Sequence, residues 1–162
     1  MTMKQQRTEA DALKGVLSSI FKRKGGNGRY TRLFDDLETT QKDFLLKEVS
    51  LSNGELPVIG SVESAGKWLL LTTDKIKWCL EGKVNVVVVT DIRDATADIG
   101  ALNATNNSKL QLQRLQLITM AGPSYSIELE NGAPLSGVWN ALRNLGARNR
   151  RNPSTSSQSG RR

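Results

Sequence analysis

The chain has 162 residues, of which 38% are hydrophobic and 24% charged, and its formal net charge is +7. This length and composition predict one globular domain with flanking elements, and they exclude a chain that is disordered or fibrous throughout. The longest uncharged apolar run, residues 84–90, is interrupted by Asn85 and is far too short to cross a bilayer, so no membrane span is expected.

The basic charge belongs to the two ends of the chain. Residues 1–49 contain ten basic and seven acidic side chains (+3), residues 50–147 contain eight and nine (−1), and residues 148–162 contain five and none (+5). Because the middle is close to neutral, the net charge does not by itself indicate a folded surface that follows a phosphate backbone.

The N-terminal residues carry no targeting signal that the sequence reveals. The stretch "MTMKQQRTEADALK" lacks the apolar run of a secretory signal, and its Glu9 and Asp11 argue against a transit peptide. Cys79 is the single cysteine, so no internal disulfide can form, which suits a reducing compartment. We therefore expect a cytoplasmic protein with Cys79 as a buried, inert thiol.

A helix is predicted over residues 9–24. Thr8 occupies the N-cap position, Asp11 stands three residues later, and Gly25 ends the pattern. Apolar residues at helical spacing form one stripe that needs a cover: Leu13, Val16, Leu17, Ile20 and Phe21. A further helical turn is predicted near Phe44, so residues 1–49 are interpreted as an N-terminal helical segment.

From Glu55 to about residue 130, the apolar residues follow the two-residue period of β-strands. Strands are predicted in "LPVIGSVES", "KWLLLTT", "KIKWCLE", "VNVVVVTDI", "SKLQLQRLQLITM" and "YSIELE", with "DIRDATADI" as an ambiguous short strand.

Residues 66–83, "GKWLLLTTDKIKWCLEGK", predict a β-hairpin around a two-residue turn at Thr73 and Asp74. That register places Leu71 opposite Ile76 and Leu69 opposite Trp78 on the core face. The outer face is expected to carry Trp68, Leu70, Thr72, Lys75, Lys77 and Cys79.

The strand after the Glu81–Gly82 turn has valines on both faces. Its core face is expected to carry Val84, Val86, Val88 and Ile92. On the outer face an apolar patch is expected to form from Trp68, Leu70, Val87 and Val89. Such a patch needs a cover. The helix over residues 9–24 is the expected cover, and an exposed patch that binds a partner is the alternative.

A closing amphipathic helix is predicted from Pro134, which suits a first helical turn, to Gly146, which predicts its end. Its apolar stripe consists of Leu135, Val138, Trp139, Leu142 and Leu145. Residues 148–162 are predicted to be a disordered basic tail, because their Ser, Asn, Gln and Arg side chains cannot bury enough surface to offset the cost of ordering.

These elements predict an α+β fold, with residues 50–147 forming a small antiparallel β-barrel or bent sandwich of about seven strands, capped by the C-terminal helix and preceded by N-terminal helices. The stretches "WLLLTTDKIKW", "VVVVTDI" and "APLSGVWNALRNL" are the most characteristic. Through them, residues 56–146 resemble a pleckstrin homology (PH)-like domain of the bacterial type, and Trp139 resembles the tryptophan that PH domains often carry in their last helix. The resemblance implies an adaptor-like interaction domain.

The sequence contains no recognisable set of catalytic residues. It has no histidine and one cysteine, which excludes zinc clusters and Ser-His-Asp or Cys-His catalysis within one chain. The glycines of "KRKGGNGR" follow a predicted helix and lack the Gly-Lys-Ser/Thr ending of a phosphate loop, so they are interpreted as a helix terminator. We expect no enzyme activity, cofactor, metal or small-molecule substrate.

The sequence therefore predicts a non-catalytic module that binds a protein partner, with Trp68, Lys75 and Lys77 as candidate partner-binding residues. Two alternatives stay open: attachment to an anionic membrane through the basic ends and the helix over residues 9–24, and nonspecific nucleic-acid binding by the arginine-rich tail. The candidate electrostatic contacts are Lys22, Arg23, Lys24, Arg148, Arg150 and Arg151.

Overall fold

The computed structural model describes residues 8–97 and 114–151. Within these residues the α-helices are α1 (Glu9–Lys24), α2 (Thr39–Glu48) and α3 (Ala133–Arg151). The strands are β1 (Thr31–Leu33), β2 (Pro57–Ser64), β3 (Lys67–Thr72), β4 (Lys75–Leu80), β5 (Lys83–Val88), β6 (Ile92–Ala97), β7 (Arg114–Thr119) and β8 (Ser124–Glu128). Short 3-10 helices lie at Phe34–Asp36 and Val89–Asp91.

The strands form two antiparallel sheets. The larger has the order β1-β2-β3-β4-β5, and the smaller has the order β6-β7-β8. Apolar side chains of both sheets, α1 and α3 meet in one hydrophobic core. The predicted α+β class, with antiparallel sheets and a C-terminal helix, is confirmed. Residues 108–113 of the predicted strand that ends in β7 lie outside the described residues.

The described part of segment 1–49 belongs to the same folded unit as the sheets. Leu17 and Phe21 of α1 are fully buried in the shared core. β1 pairs with β2 so that Thr31 lies opposite Ser61, and the Thr31 hydroxyl donates to Ser61 Oγ at 2.8 Å. The interpretation of this segment as helical is therefore incomplete, because it contributes an edge strand to the larger sheet.

α1 begins and ends where the sequence predicts. The Asp11 backbone N–H donates to Thr8 Oγ1 at 3.2 Å, and the Thr8 backbone N–H donates to the Asp11 carboxylate at 3.0 Å. This capping box satisfies two donors at the start of the helix.

The first hairpin has the predicted register. Leu71 pairs with Ile76 and Leu69 pairs with Trp78, and all four side chains are at most 2% exposed. The core face of β3 and β4 is therefore confirmed.

The predicted orientation of β5 is wrong, because the opposite face of this strand meets the core. Glu81 and Gly82 form a two-residue turn with φ angles of 53° and 80°, as is typical of a type I′ hairpin. Val87 consequently pairs with Ile76, and paired residues share one face of a sheet. The side chains on the outer face are Val84, Val86 and Val88.

α2 covers the outer face of the larger sheet, and the prediction that the helix over residues 9–24 does so is wrong. α1 packs against α3 and β2 instead. The cluster beneath α2 consists of Phe34, Leu37, Leu45, Val49, Trp68, Leu70 and Cys79. Gly60 makes room for this helix, since a Cβ atom there would lie 2.7 Å from Leu45 Cδ1 and 2.8 Å from Leu37 Cδ1.

α3 does not end at Gly146 but continues to Arg151. Gly146 is instead a point of close approach, because a Cβ atom there would lie 2.7 Å from the carbonyl carbon of Arg93. The prediction of a disordered tail is therefore wrong for residues 148–151, which are helical, and residues 152–162 lie outside the described residues.

Gly146→Ala is expected to lower the free energy of unfolding by about 2 kcal/mol, because the backbone of Arg93 cannot move aside as a flexible side chain would. Urea denaturation followed by tryptophan fluorescence measures the change. Gly15→Ala is the matched control: no atom lies within 4 Å of its added Cβ, so it should stabilise the chain by about 0.5–1 kcal/mol. Equal midpoints for wild type and Gly146→Ala would contradict the close packing of α3 on β6.

Candidate functional site

Trp68, the first candidate partner-binding residue, is not at the surface. It is 3% exposed and lies beneath α2, where Phe44 packs edge-on against its ring with 6.3 Å between centroids. The prediction that Trp68 contacts a partner is corrected, because the chain's own helix already buries this side chain.

Lys75 and Lys77 hold the segment that follows α2. Lys77 Nζ donates to the carbonyl of Glu48 at 3.2 Å, and Lys75 Nζ donates to the carbonyl of Ser50 at 3.2 Å. Lys75 Nζ also lies 2.9 Å from the fully buried carboxylate of Glu55. Ammonium groups are favourable where a helix leaves its last carbonyls free. The two lysines therefore stabilise the fold, and their assignment to partner binding stays a prediction.

The six candidate electrostatic residues lie near the ends of α1 and α3, and all of them are exposed. Arg23, Lys24 and Arg150 line one groove between these helices, together with Arg143, which is not among the predicted electrostatic contacts. Arg143 and Arg150 are seven residues apart and so share a helix face, a signal that the sequence does contain. The other three residues, Lys22, Arg148 and Arg151, do not line this groove.

The clearest exposed apolar feature lies on β5. Among the described residues, five large hydrophobic side chains are exposed, and three of them are Val84 (48%), Val86 (52%) and Val88 (53%). These three residues, called the valine row below, alternate along one strand and span about 13 Å of its outer face. The described residues leave them uncovered because the cluster beneath α2 ends at Cys79 of β4.

The backbone of the valine row faces an edge of the sheet at which no further described strand pairs. β5 is the last strand of its sheet, with β4 as its neighbour among the described strands. In a hairpin with a two-residue turn, the residues that flank the turn exchange hydrogen bonds. Lys83, Asn85 and Val87 therefore direct their backbone groups toward β4. The N–H and C=O groups of the valine row point outward, which makes this edge a template for another strand.

A pocket of 200 Å³ adjoins this edge on the inner face of the sheet. Its lining residues are Trp78, Leu80, Glu81, Lys83, Asn85 and Ser126. Trp78 is almost completely buried, and its indole N–H has no acceptor in the described part of the chain. A buried donor without a partner costs about 1–3 kcal/mol. Because Trp78 lines the pocket, a ligand oxygen that reaches its N–H there would offset this cost.

No three His, Cys, Asp or Glu side chains within the described ranges are arranged to hold a metal ion. The helices of those ranges are too short or too polar to cross a membrane. Comparison with protein-family models, with curated proteins and with solved structures finds no match to this chain. The function is therefore inferred from the geometry of the chain itself.

Proposed function

We propose that this chain is a non-catalytic interaction domain of PH-like type that binds an extended segment of a partner protein along the free edge of β5. The observation that carries the proposal is the valine row, in which exposed apolar side chains coincide with outward-facing backbone groups. Strand addition uses both features, since backbone hydrogen bonds provide affinity and alternate side chains provide selectivity.

The order of the elements supports the likeness to PH domains. A five-stranded antiparallel sheet precedes a three-stranded one, and the long helix α3 follows both and packs on their common core. Trp139 of α3 donates its indole N–H to the carbonyl of Ala95 in β6 at 2.8 Å. These features favour a bent sandwich in which the last helix closes the core.

The two faces of the edge favour different side chains of an incoming strand. On the outer face, β-branched or aromatic residues would pack on the valine row. On the inner face, residues one position away would lie beside Asn85 and over the pocket, where the Trp78 N–H favours an oxygen acceptor. Lys83 and Glu81 at the pocket have opposite charges, so an uncharged amide or hydroxyl fits best. The partner is therefore a segment that alternates apolar residues with Asn, Gln, Ser or Thr.

A selection of short random peptides against the purified full chain tests this proposal. Selected peptides are expected to show the alternation of apolar and uncharged polar residues, and fluorescence polarisation measures their affinity. Peptides that lack alternation, or that bind equally well after substitutions on β5, would contradict strand addition.

Val86→Pro is expected to weaken binding of the selected peptides about tenfold, because it removes an outward N–H that the incoming strand needs. The chain should remain folded, since that N–H does not pair with β4 and proline is tolerated at such edge positions. Val86→Thr is the matched control: it keeps the N–H and the β-branched shape, and it should retain most of the affinity.

Sedimentation velocity on the peptide-free chain tests whether a second copy of the chain pairs with the β5 edge. A monomer is expected. A dimer that Val86→Pro dissociates would show that a second copy of the chain, and not another protein, pairs with β5.

A further inference from the structure

Basic residues of both α1 and α3 line a groove between these two helices. The last turn of α1 lies against the first turn of α3, where the Ser136 hydroxyl donates to the carbonyl of Lys24 at 2.7 Å. Beside this contact lies an open groove with a volume of 420 Å³. Its polar lining, called the basic groove below, consists of Arg23, Lys24, Asn140, Arg143, Asn144 and Arg150.

The charge of the basic groove is not compensated by the described part of the chain. Four of its lining residues are cations, and no acidic residue lines it. The ion pairs of the described residues involve other cations, namely Lys14, Lys67, Lys75 and Arg114. A neighbouring recess extends the groove along α1 and adds no acidic residue either. Uncompensated positive charge in a concave site attracts anions.

Two of the guanidinium groups are already held in place. Arg23 Nε donates to Ser19 Oγ at 3.3 Å, and Arg150 Nη1 donates to the carbonyl of Arg93. Each guanidinium has five N–H donors, so both keep further donors for a ligand. Planar guanidinium groups suit phosphate oxygens, and groups that are fixed beforehand lose less freedom on binding.

One residue that lines the basic groove carries a buried acceptor. Asn144 Oδ1 is buried and receives no hydrogen bond from the described residues. Buried acceptors are normally paired, so this oxygen favours a ligand that brings a donor. A fully ionised phosphate has no donor to offer, whereas a hydroxyl group next to a phosphate does.

We infer that the basic groove binds a phosphorylated polyol, with its phosphate among the four cations and a hydroxyl donating to Asn144. Two sources share this chemistry: a free polyol phosphate, and the headgroup of a lipid such as phosphatidylglycerol. The groove has no residue in common with the β5 edge or its pocket, so this inference does not depend on the proposed function.

Calorimetric titration of the full chain at pH 8 compares sn-glycerol 3-phosphate with methyl phosphate, which is fully ionised there and has no donor. The polyol phosphate is expected to bind about fivefold more tightly, which corresponds to one hydrogen bond to a buried acceptor. Co-sedimentation with phosphatidylcholine vesicles that contain either phosphatidylglycerol or phosphatidylmethanol, which has the same charge and no donor, tests the lipid source. Binding of the free compound alone identifies a dissolved ligand, and preferential binding of the phosphatidylglycerol vesicles identifies the headgroup.

Three variants distinguish binding in the basic groove from nonspecific electrostatic attraction. Arg143→Gln is expected to weaken binding about tenfold, as the loss of a charge-assisted hydrogen bond predicts. Arg148→Gln removes the same charge from the same helix outside the groove and should leave affinity unchanged. Asn144→Leu keeps the side-chain size, and it should abolish the preference for glycerol 3-phosphate over methyl phosphate without abolishing the binding of methyl phosphate. Circular dichroism verifies that each variant is folded.

The inference is overturned if neither the compounds nor the vesicles bind, or if methyl phosphate binds as well as glycerol 3-phosphate while phosphatidylmethanol binds as well as phosphatidylglycerol. It is also overturned if Arg148→Gln weakens binding as much as Arg143→Gln, because the contact would then be diffuse attraction to the basic ends of the chain.

Discussion

Replacing Lys75 by methionine is expected to lower the free energy of unfolding by about 3 kcal/mol at neutral pH, because Glu55 then keeps a buried charge without its counter-ion. Lys75 Nζ lies 3.0 and 2.9 Å from the two carboxylate oxygens of Glu55. The Glu55 side chain is fully buried, while that of Lys75 is 18% exposed. Methionine keeps an unbranched apolar stem of similar length, so lost packing contributes little. Urea denaturation measures the difference.

The same pair predicts how stability changes with pH. Burial by itself raises the pKa of Glu55, but hydrogen bonds from Thr72, Ser52 and Lys75, with the charge of Lys75, hold the pKa below its ordinary value of 4.5. A carboxyl group whose pKa is lower in the folded state contributes its full stabilisation at pH values above its pKa in the unfolded state. This stabilisation is lost as the pH falls through its pKa in the folded state. The difference between wild type and Lys75→Met should therefore be largest at neutral pH and should shrink below pH 4.5.

The double variant Glu55→Gln with Lys75→Met is the control for this interpretation. It removes the buried charge together with its partner, and the single amide oxygen can still accept from the Ser52 N–H, whereas the Thr72 hydroxyl loses this acceptor. The double variant should be more stable than Lys75→Met alone. If the loss in Lys75→Met is the same at neutral and at acidic pH, an uncompensated Glu55 charge is not its cause.

The two hairpins show which parts of the fold local sequence determines. The Thr73–Asp74 turn sets the pairing of β3 with β4, and its two-residue length is enough to place Leu69 and Leu71 in the core. The same argument applied to Glu81 and Gly82 would have placed Val87 in the core. The orientation of β5 was therefore predictable from the turn, whereas the count of valines on its two faces was misleading.

Other features depend on contacts between distant residues. α2 covers Trp68 because Gly60 leaves room for Leu37 and Leu45, and no local pattern around Trp68 contains that information. The basic groove likewise joins Arg23 to Arg143 only because α1 and α3 pack together. Sequence periodicity determines which face of each helix is apolar, but it does not determine which neighbouring element covers that face.

Glu130→Ala is expected to lower the free energy of unfolding by about 3 kcal/mol, because three successive backbone donors lose one carboxylate. Oε2 of Glu130 accepts from the N–H of Arg29 at 3.0 Å, and Oε1 accepts from those of Tyr30 and Thr31 at 2.7 and 2.5 Å. These bonds join the loop before β1 to the end of β8. A Cβ atom at Gly28 would lie 2.9 Å from the carboxyl carbon of Glu130. The absence of a side chain at Gly28 therefore leaves room for this carboxylate.

Two measurements distinguish this contact from a general charge effect. Hydrogen exchange should accelerate at the amides of Tyr30 and Thr31 in Glu130→Ala, since their acceptor is lost. Glu48→Ala removes an exposed carboxylate from the end of α2 and should change stability by less than about 0.5 kcal/mol. Unchanged exchange at both amides would contradict the contact. The glycine-rich stretch "KRKGGNGR" therefore does more than end α1: the backbone amide of its last residue, Arg29, and those of the next two residues bind the carboxylate of Glu130.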